Sequence, residues 1–451
     1  MTTRLSSVLA VTASLVAATP VAAQLLPGSG GGGSGGLGGV IGGITRSVGN
    51  VTRPVLGETG GNTAVERREL TGGAFDRVAI LSSSVAAAPQ SLLDLRRLRL
   101  SLLVNAHRGE LDRDGNGSPV RRDRLVALDP DAASLAAAGR SGFRIIADQR
   151  EPELGLRFVT LAVPPRMNPR QALAALRKAA PRLDADFDHI FEPAGGALAP
   201  ATVLLAGAAG FASANTRIAM IDGGVASHPA MARASIEQKG FAGPASATGH
   251  GTAVASLLVG DQGAFKGAAR GASLFVGDVY GGNPAAGSAS TIVRALGWAA
   301  GKRPRLINLS LVGPANRAIQ RAVGALRARG IMVVAAVGND GPAAPPQFPA
   351  SYDGVIAVTG VDAKGRALLE AGRARHLDFA APGADLAAAL PGKGYARVRG
   401  TSFAAPLVAA RLAATGSLDR LAAEARPGRG KVGRGIVCGA CRIEPKAVGA
   451  K

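Results

Sequence analysis

Beyond residue 199 the chain alternates short apolar runs with longer stretches in which small apolar residues recur at helical spacing. The runs at 217–221, 274–276, 306–309, 331–336 and 355–358 are apolar on both faces and predict buried strands. The stretches at 251–258, 290–300 and 315–329 predict helices between them. Continuous apolar strands separated by helices predict an α/β domain, a parallel sheet with helical layers on both faces. Such sheets carry their sites at the carboxyl ends of the strands.

The preceding region, 67–198, has a different pattern, that of a small α+β module. Leucines at 92, 93, 95, 98, 100, 102 and 103 predict a helix burying one face, and 125–128, 143–146, 158–163 and 187–191 predict strands. Asn168-Pro169-Arg170-Gln171 is a helix start, with Asn168 as the cap, Pro169 in the first turn and Gln171 closing a capping box. Asp112-Arg113-Asp114-Gly115-Asn116-Gly117 has the opening of a calcium loop, with Asp123 in twelfth place. Pro119 in the usual apolar eighth position and the Asn-Gly pair between polar strands favour a plain hairpin turn instead.

Residues 1–23 read as an export signal: Arg4, an apolar stretch, then Val21-Ala22-Ala23 as a small-residue cleavage site. Its apolar core is short and interrupted by Pro20, so no membrane span is expected, and the protein is expected in a periplasm or outside the cell. Residues 24–66 are dominated by Gly and Ser and read as a linker, which buries too little apolar surface to offset its ordering entropy. The expected organisation is 1–23 signal, 24–66 linker, 67–198 module, 199–437 α/β domain and 438–451 tail.

Composition adds two constraints. The chain is 47% hydrophobic but only 4% aromatic, with 63 glycines in 451 residues, so its core must be built from small aliphatic side chains at close backbone contact. The formal charge of +21 raises the question of a polyanionic partner. The excess is arginine scattered through all segments, in short clusters without interleaved aromatics. It reads as a solvated surface, and no nucleic-acid partner is expected.

Candidate chemistry begins near the C-terminal end with Arg399-Gly400-Thr401-Ser402-Phe403-Ala404-Ala405-Pro406. An Ala/Leu/Val-rich run, 403–414, predicts a buried helix here, and Pro406 argues for its start because proline suits the first turn. Ser402 then lies at a helix N-terminus, where unpaired N–H groups and the dipole favour developing negative charge. Asp222 ends the strand 217–221 and precedes two glycines. His250 projects from a glycine-flanked helix start, Thr248-Gly249-His250-Gly251-Thr252. Asn339 follows an apolar strand in Gly338-Asn339-Asp340-Gly341, where a side-chain amide can donate to an oxyanion. Taken singly, each has an ordinary structural explanation as a cap, a turn or a core histidine.

Together and in this order, the four stretches resemble the subtilisin-like serine peptidase family, over roughly 199–437. Asn308-Leu309-Ser310-Leu311 and Phe379-Ala380-Ala381-Pro382-Gly383 add to the resemblance. It implies a subtilisin-like three-layer α/β fold and an Asp222–His250–Ser402 triad, an order of roles already familiar for this family. Asn339 and the Ser402 N–H are then the oxyanion donors. It further implies that Ser310, Leu311, Val312 and Gly313 pair with an extended polypeptide substrate.

Two positions depart from the family pattern. Val312 stands where glycine is usual on the cleft wall, and Phe403 replaces a common methionine. No metal or cofactor is assigned. The module 67–198 resembles the family's inhibitory propeptides, which implies an intramolecular inhibitor removed by cleavage somewhere in 192–215. Cys438 and Cys441 can clip the tail by one disulfide and are too few for a closed zinc site. A ligase using the same site and an inactive scaffold are the alternatives. The scaffold would carry a degenerate triad, which this sequence does not show.

Overall fold

The computed structural model describes residues 89–194, 196–197, 215–392 and 394–450. The signal-like segment 1–23, the linker 24–66, the start of the module (67–88) and residues 198–214 lie outside the described residues. All described residues belong to one unit, Ala64–Lys451.

The described part of the module opens with helix α1 (Pro89–Ala106) and the hairpin of β1 (Leu111–Arg113) and β2 (Pro119–Leu128). Helix α2 (Ala132–Arg140), strands β3 (Arg144–Glu151) and β4 (Leu156–Ala162), helix α3 (Pro169–Ala179) and β5 (Asp184–His189) follow. The strands form an antiparallel sheet of order β1-β2-β4-β3, with β5 also paired to β2. Leu125, Ala127, Val159 and Leu161 on one sheet face pack with Leu173 and Leu176 of α3 into a separate core.

Local chemistry explains several boundaries. Asn168 and Gln171 make the reciprocal capping box, both bonds at 3.0 Å. The calcium-loop-like stretch is a hairpin turn in which Asp114 Oδ1 accepts the N–H groups of Asn116 and Ser118, each at 2.8 Å. Three expectations shift. The strand expected at 143–146 runs through 144–151 as a sheet edge, with Ile145 and Ile146 exposed, so their apolar character does not reflect burial. The strand expected at 187–191 is 184–189. Helix α2 was not anticipated, although Asp131 caps it through the Ser134 N–H at 2.7 Å.

Two short strands, β6 (Glu192–Pro193) and β7 (Gly196–Ala197), lead into the α/β domain. Its strands are β8 (Arg217–Asp222), β9 (Ser235–Gly240), the small pair β10 (Asp261–Gln262) and β11 (Phe265–Lys266), β12 (Ser273–Asp278), β13 (Leu306–Leu309) and β14 (Leu311–Val312). β15 (Met332–Ala336), β16 (Ile356–Val361), β17 (Phe379–Pro382), β18 (Leu386–Ala389) and β19 (Tyr395–Arg399) complete them. The helices are α4 (Gly249–Val259), α5 (Ala289–Gly301), α6 (Arg317–Ala328), α7 (Thr401–Thr415) and α8 (Leu418–Ala423).

Seven of these strands make a parallel sheet of order β17-β16-β15-β13-β8-β12-β9. Alternate residues serve opposite faces. Ile218 and Met220 of β8 pack with Val254, Leu257, Leu407 and Val408 of α4 and α7. Ala219 and Ile221 pack with Ile292, Leu296, Ile319 and Val323 of α5 and α6. This gives the expected three layers and explains the unbroken apolar runs, since neither face meets water.

The module sits on the N-termini of α5 and α6. Asp188 accepts from the backbone N–H and hydroxyl of Ser290 at 2.8 and 2.9 Å, and Asp186 accepts from the Arg317 N–H at 2.9 Å. Carboxylates at helix N-termini satisfy orphan donors and suit the positive end of the dipole. Cys438 and Cys441 form a disulfide in the tail.

Candidate active site

Three neighbouring strands, β8, β13 and β15, end side by side, and Asp222, Ser310 and Asn339 lie at or just beyond their carboxyl ends. Asp222 is the last residue of β8 and is buried. Its Oδ1 accepts the Gly223 N–H at 2.7 Å and pairs with His250 Nδ1 at 2.9 Å. With Nδ1 donating to the carboxylate, Nε2 is the bare, basic nitrogen. Thr248 caps α4 through the Gly251 N–H at 2.9 Å, and this cap sets His250 in the first turn. The second glycine of the frame has a steric role: a Cβ at Gly251 would collide with the backbone carbonyl of Gly223.

Ser402 lies in the first turn of α7, after Gly400 with φ of 146°. It is fully buried, and its Oγ, like His250 Nε2, has no hydrogen-bond partner among the described residues. The His250 ring lies 5.4 Å from the ring of Phe403, centroid to centroid. The helix begins at Thr401, so Pro406 stands inside it rather than at its start. Proline has no N–H to donate to the carbonyl four residues back, that of Ser402. Ser310 supplies the missing donor from its hydroxyl at 2.9 Å, and Asn308 Nδ2 in turn donates to Ser310 Oγ at 3.0 Å. Sequence reasoning placed Ser310 on the substrate-pairing strand through its backbone; its buried side chain has a further role, supporting the Ser402 turn.

The chain itself runs through the site. β6 pairs antiparallel with β14, Pro193 opposite Leu311 and Glu192 opposite Val312. The Ala194 N–H donates to the Ser310 carbonyl at 2.9 Å, and the Asn339 side-chain amide donates to the Ala194 carbonyl. On the far side β7 pairs with β19. Asn339 is oriented from behind, its Oδ1 accepting the Thr401 N–H at 3.0 Å, while the Thr401 hydroxyl bonds the Gly338 backbone. The Ser402 N–H, the second expected donor, is not bonded to the Ala194 oxygen here. Phe191 is fully buried over Gly313, where a Cβ would meet its ring at 2.6 Å.

Sequence reasoning missed three participants. Ala194 carries no chemical signature of its own. Thr401 reads as part of a helix start. Arg99 lies far away in the chain, on α1, and bridges Glu192 at 3.2 and 3.3 Å to Asp340 at 2.9 Å. Arg96 also reaches Asp340, at 3.0 Å. These two carboxylates hold the Arg99 guanidinium above its ordinary range against the opposing effect of burial. No group of three or more His, Cys, Asp or Glu side chains placed to hold a metal occurs among the described residues.

The sequence profile of the subtilase family matches residues 213–422. Subtilisin Savinase of Lederbergia lenta is 33% identical over 206 residues, 44% of this chain and 76% of the relative. The major intracellular serine protease of Bacillus subtilis (strain 168) is 34% identical over 223 residues, 46% of this chain and 70% of the relative. In fold the chain is similar to fervidolysin from Fervidobacterium pennivorans, a keratinolytic enzyme related to subtilisin. That match has a TM-score of 0.62 at 19% identity and covers 74% of this chain and 62% of the other.

Proposed function

The chain belongs to the subtilase family of serine peptidases, and on that basis we propose that it is the precursor of an endopeptidase using Asp222, His250 and Ser402 as its triad. The observation that carries the reading is the hydrogen bond from Asn339 to the Ala194 carbonyl, with the chain strand-paired on both sides of it. The same Asn339 is bonded to the Thr401 N–H in the turn that carries Ser402, which supports reading the bond after Ala194 as the one attacked.

In the forward step Ser402 Oγ adds to the Ala194 carbonyl carbon while His250 Nε2 takes the hydroxyl proton. Asp222 holds the imidazole by its Nδ1–H and stabilises the imidazolium without being protonated. The negative charge that develops on the carbonyl oxygen is met by Asn339 Nδ2. Collapse breaks the peptide bond after Ala194, and His250 returns the proton to the leaving amine. Water then releases the acyl group from Ser402 by the same proton path.

Self-processing belongs to this proposal, with the module as an intramolecular inhibitor docked through Asp186, Asp188 and the Arg99 bridge. The segment 192–194 occupies the cleft that a polypeptide substrate would use. Export through residues 1–23 is also proposed, on their sequence alone. One relative is named as intracellular, so family membership does not decide the compartment. Among the described residues no helix is long and apolar enough to cross a membrane.

The test is expression of the wild type beside Ser402→Ala. The wild type is expected to convert to a shorter form whose new N-terminus follows Ala194 and whose activity is blocked by phenylmethylsulfonyl fluoride. Ser402→Ala is expected to remain uncut. A wild type that stays full length and hydrolyses no unfolded protein would refute the reading.

A further inference from the structure

Ala194 is gripped by two walls. Its N–H is bonded to Ser310 on the segment leading into β14, and its carbonyl is bonded to Asn339 beyond β15. Between these walls the Ala194 side chain is buried, at 2% exposure, in the same apolar cluster as Val312. The Val312 isopropyl group approaches the Asn339 side: its two methyls lie 3.3 and 3.8 Å from where a Cβ on Gly338 would stand. Gly338 is held at φ of 87°, a conformation that favours glycine. Val312 thus stands on the β14 wall, one pairing step beyond Leu311, and reaches toward the Gly338 wall.

We propose that Val312 limits the residue on the acyl side of the cleaved bond to alanine or glycine, so that the enzyme cuts polypeptides after small residues. The proposal rests on the peptidase reading above and names the substrate class of that site. The chain's own Phe191-Glu192-Pro193-Ala194 is its template. A protein interior is packed closely enough that a side chain several carbons larger is accommodated only by displacing its neighbours. Discrimination by such a pocket reaches roughly a hundredfold.

The test uses the processed enzyme and the peptides Phe-Glu-Pro-Xaa-p-nitroanilide with Xaa as Ala, Leu or Phe. The wild type is expected to prefer Ala over Phe by roughly a hundredfold in kcat/KM. Val312→Gly is expected to reduce that preference to below about tenfold by gaining activity on Leu and Phe. In the full chain, Ala194→Leu should stall processing, Ala194→Gly should proceed, and Ala194→Leu combined with Val312→Gly should process again.

An active wild type that cleaves the Phe peptide as well as the Ala peptide overturns the assignment of Val312. So does Ala194→Leu processing at the wild-type rate. Should Val312→Gly fail to fold, the Ala194 series decides alone. Hydrolysis of none of the peptides, with wild type and Ser402→Ala indistinguishable, overturns the peptidase reading and this proposal with it.

Discussion

The hydroxyl of Ser310 donates to the backbone carbonyl of Ser402 at 2.9 Å, filling the place left by the missing N–H of Pro406. A proline inside a buried helix normally costs a hydrogen bond and kinks the backbone. Here the lost bond is replaced from a neighbouring strand, and the replacement ties the serine-bearing turn to the end of β13. The helix can therefore continue past Pro406 with Ser402 still in its first turn.

Removing that donor should be costly. Ser310→Ala leaves the Ser402 carbonyl and the Asn308 amide without their partner in a dry site, a loss of about 1–3 kcal/mol. Urea unfolding of the uncut Ser402→Ala precursor, whose backbone carbonyl is unchanged, measures it. A change below ~0.5 kcal/mol would mean that the bond contributes nothing net.

Asn339 serves two neighbours with its two ends, which allows them to be separated. Asn339→Asp keeps an oxygen for the Thr401 N–H and loses the donor to the carbonyl of the bound chain. The turn should survive while kcat falls about 10²–10³-fold with KM little changed. Steady-state kinetics on a peptide ending in Ala before the cut bond would reveal a mainly KM effect, which would assign Asn339 to ground-state binding instead.

Glu151, at the end of β3, rests against Gly297 of α5 where the module meets the α/β domain. Burial pushes its carboxyl up to about 6, with Arg294 and Lys239 pulling the other way. A folded pKa above the unfolded one means that the folded state holds the proton more tightly. Stability from this group is therefore lost as pH rises from the ordinary glutamate range to about 6. Glu151→Gln in the Ser402→Ala precursor should raise Tm at pH 7.5 and leave it unchanged near pH 4. Thermal melts across that range that show no pH dependence in the difference would exclude the linkage.

The candidate site was legible where chemistry and backbone constraint coincide in a short stretch. Asp222 before two glycines, His250 between glycines and Ser402 after Gly-Thr each announce an unusual local geometry, and their order carried the family resemblance. Boundaries were less legible where a rule admits exceptions. Pro406 was read as a helix start because the chain shows the missing N–H but not the hydroxyl that compensates for it. Ile145 and Ile146 predict a strand but not its place in the sheet, because an edge strand and a central one share the same residues.

By itself the sequence determined the three-layer fold, since runs apolar on both faces have nowhere to lie but between two helical layers. It also singled out the candidate residues Asp222, His250, Asn339 and Ser402. Tertiary structure alone decided what surrounds them: Ser310 as a backbone donor, Arg99 reaching Glu192 and Asp340, Val312 closing on Gly338, and Ala194 held between two walls. These are contacts between segments far apart in the chain, whose pairing no local pattern gives. Their meaning depends on distances that only the folded sheet brings about.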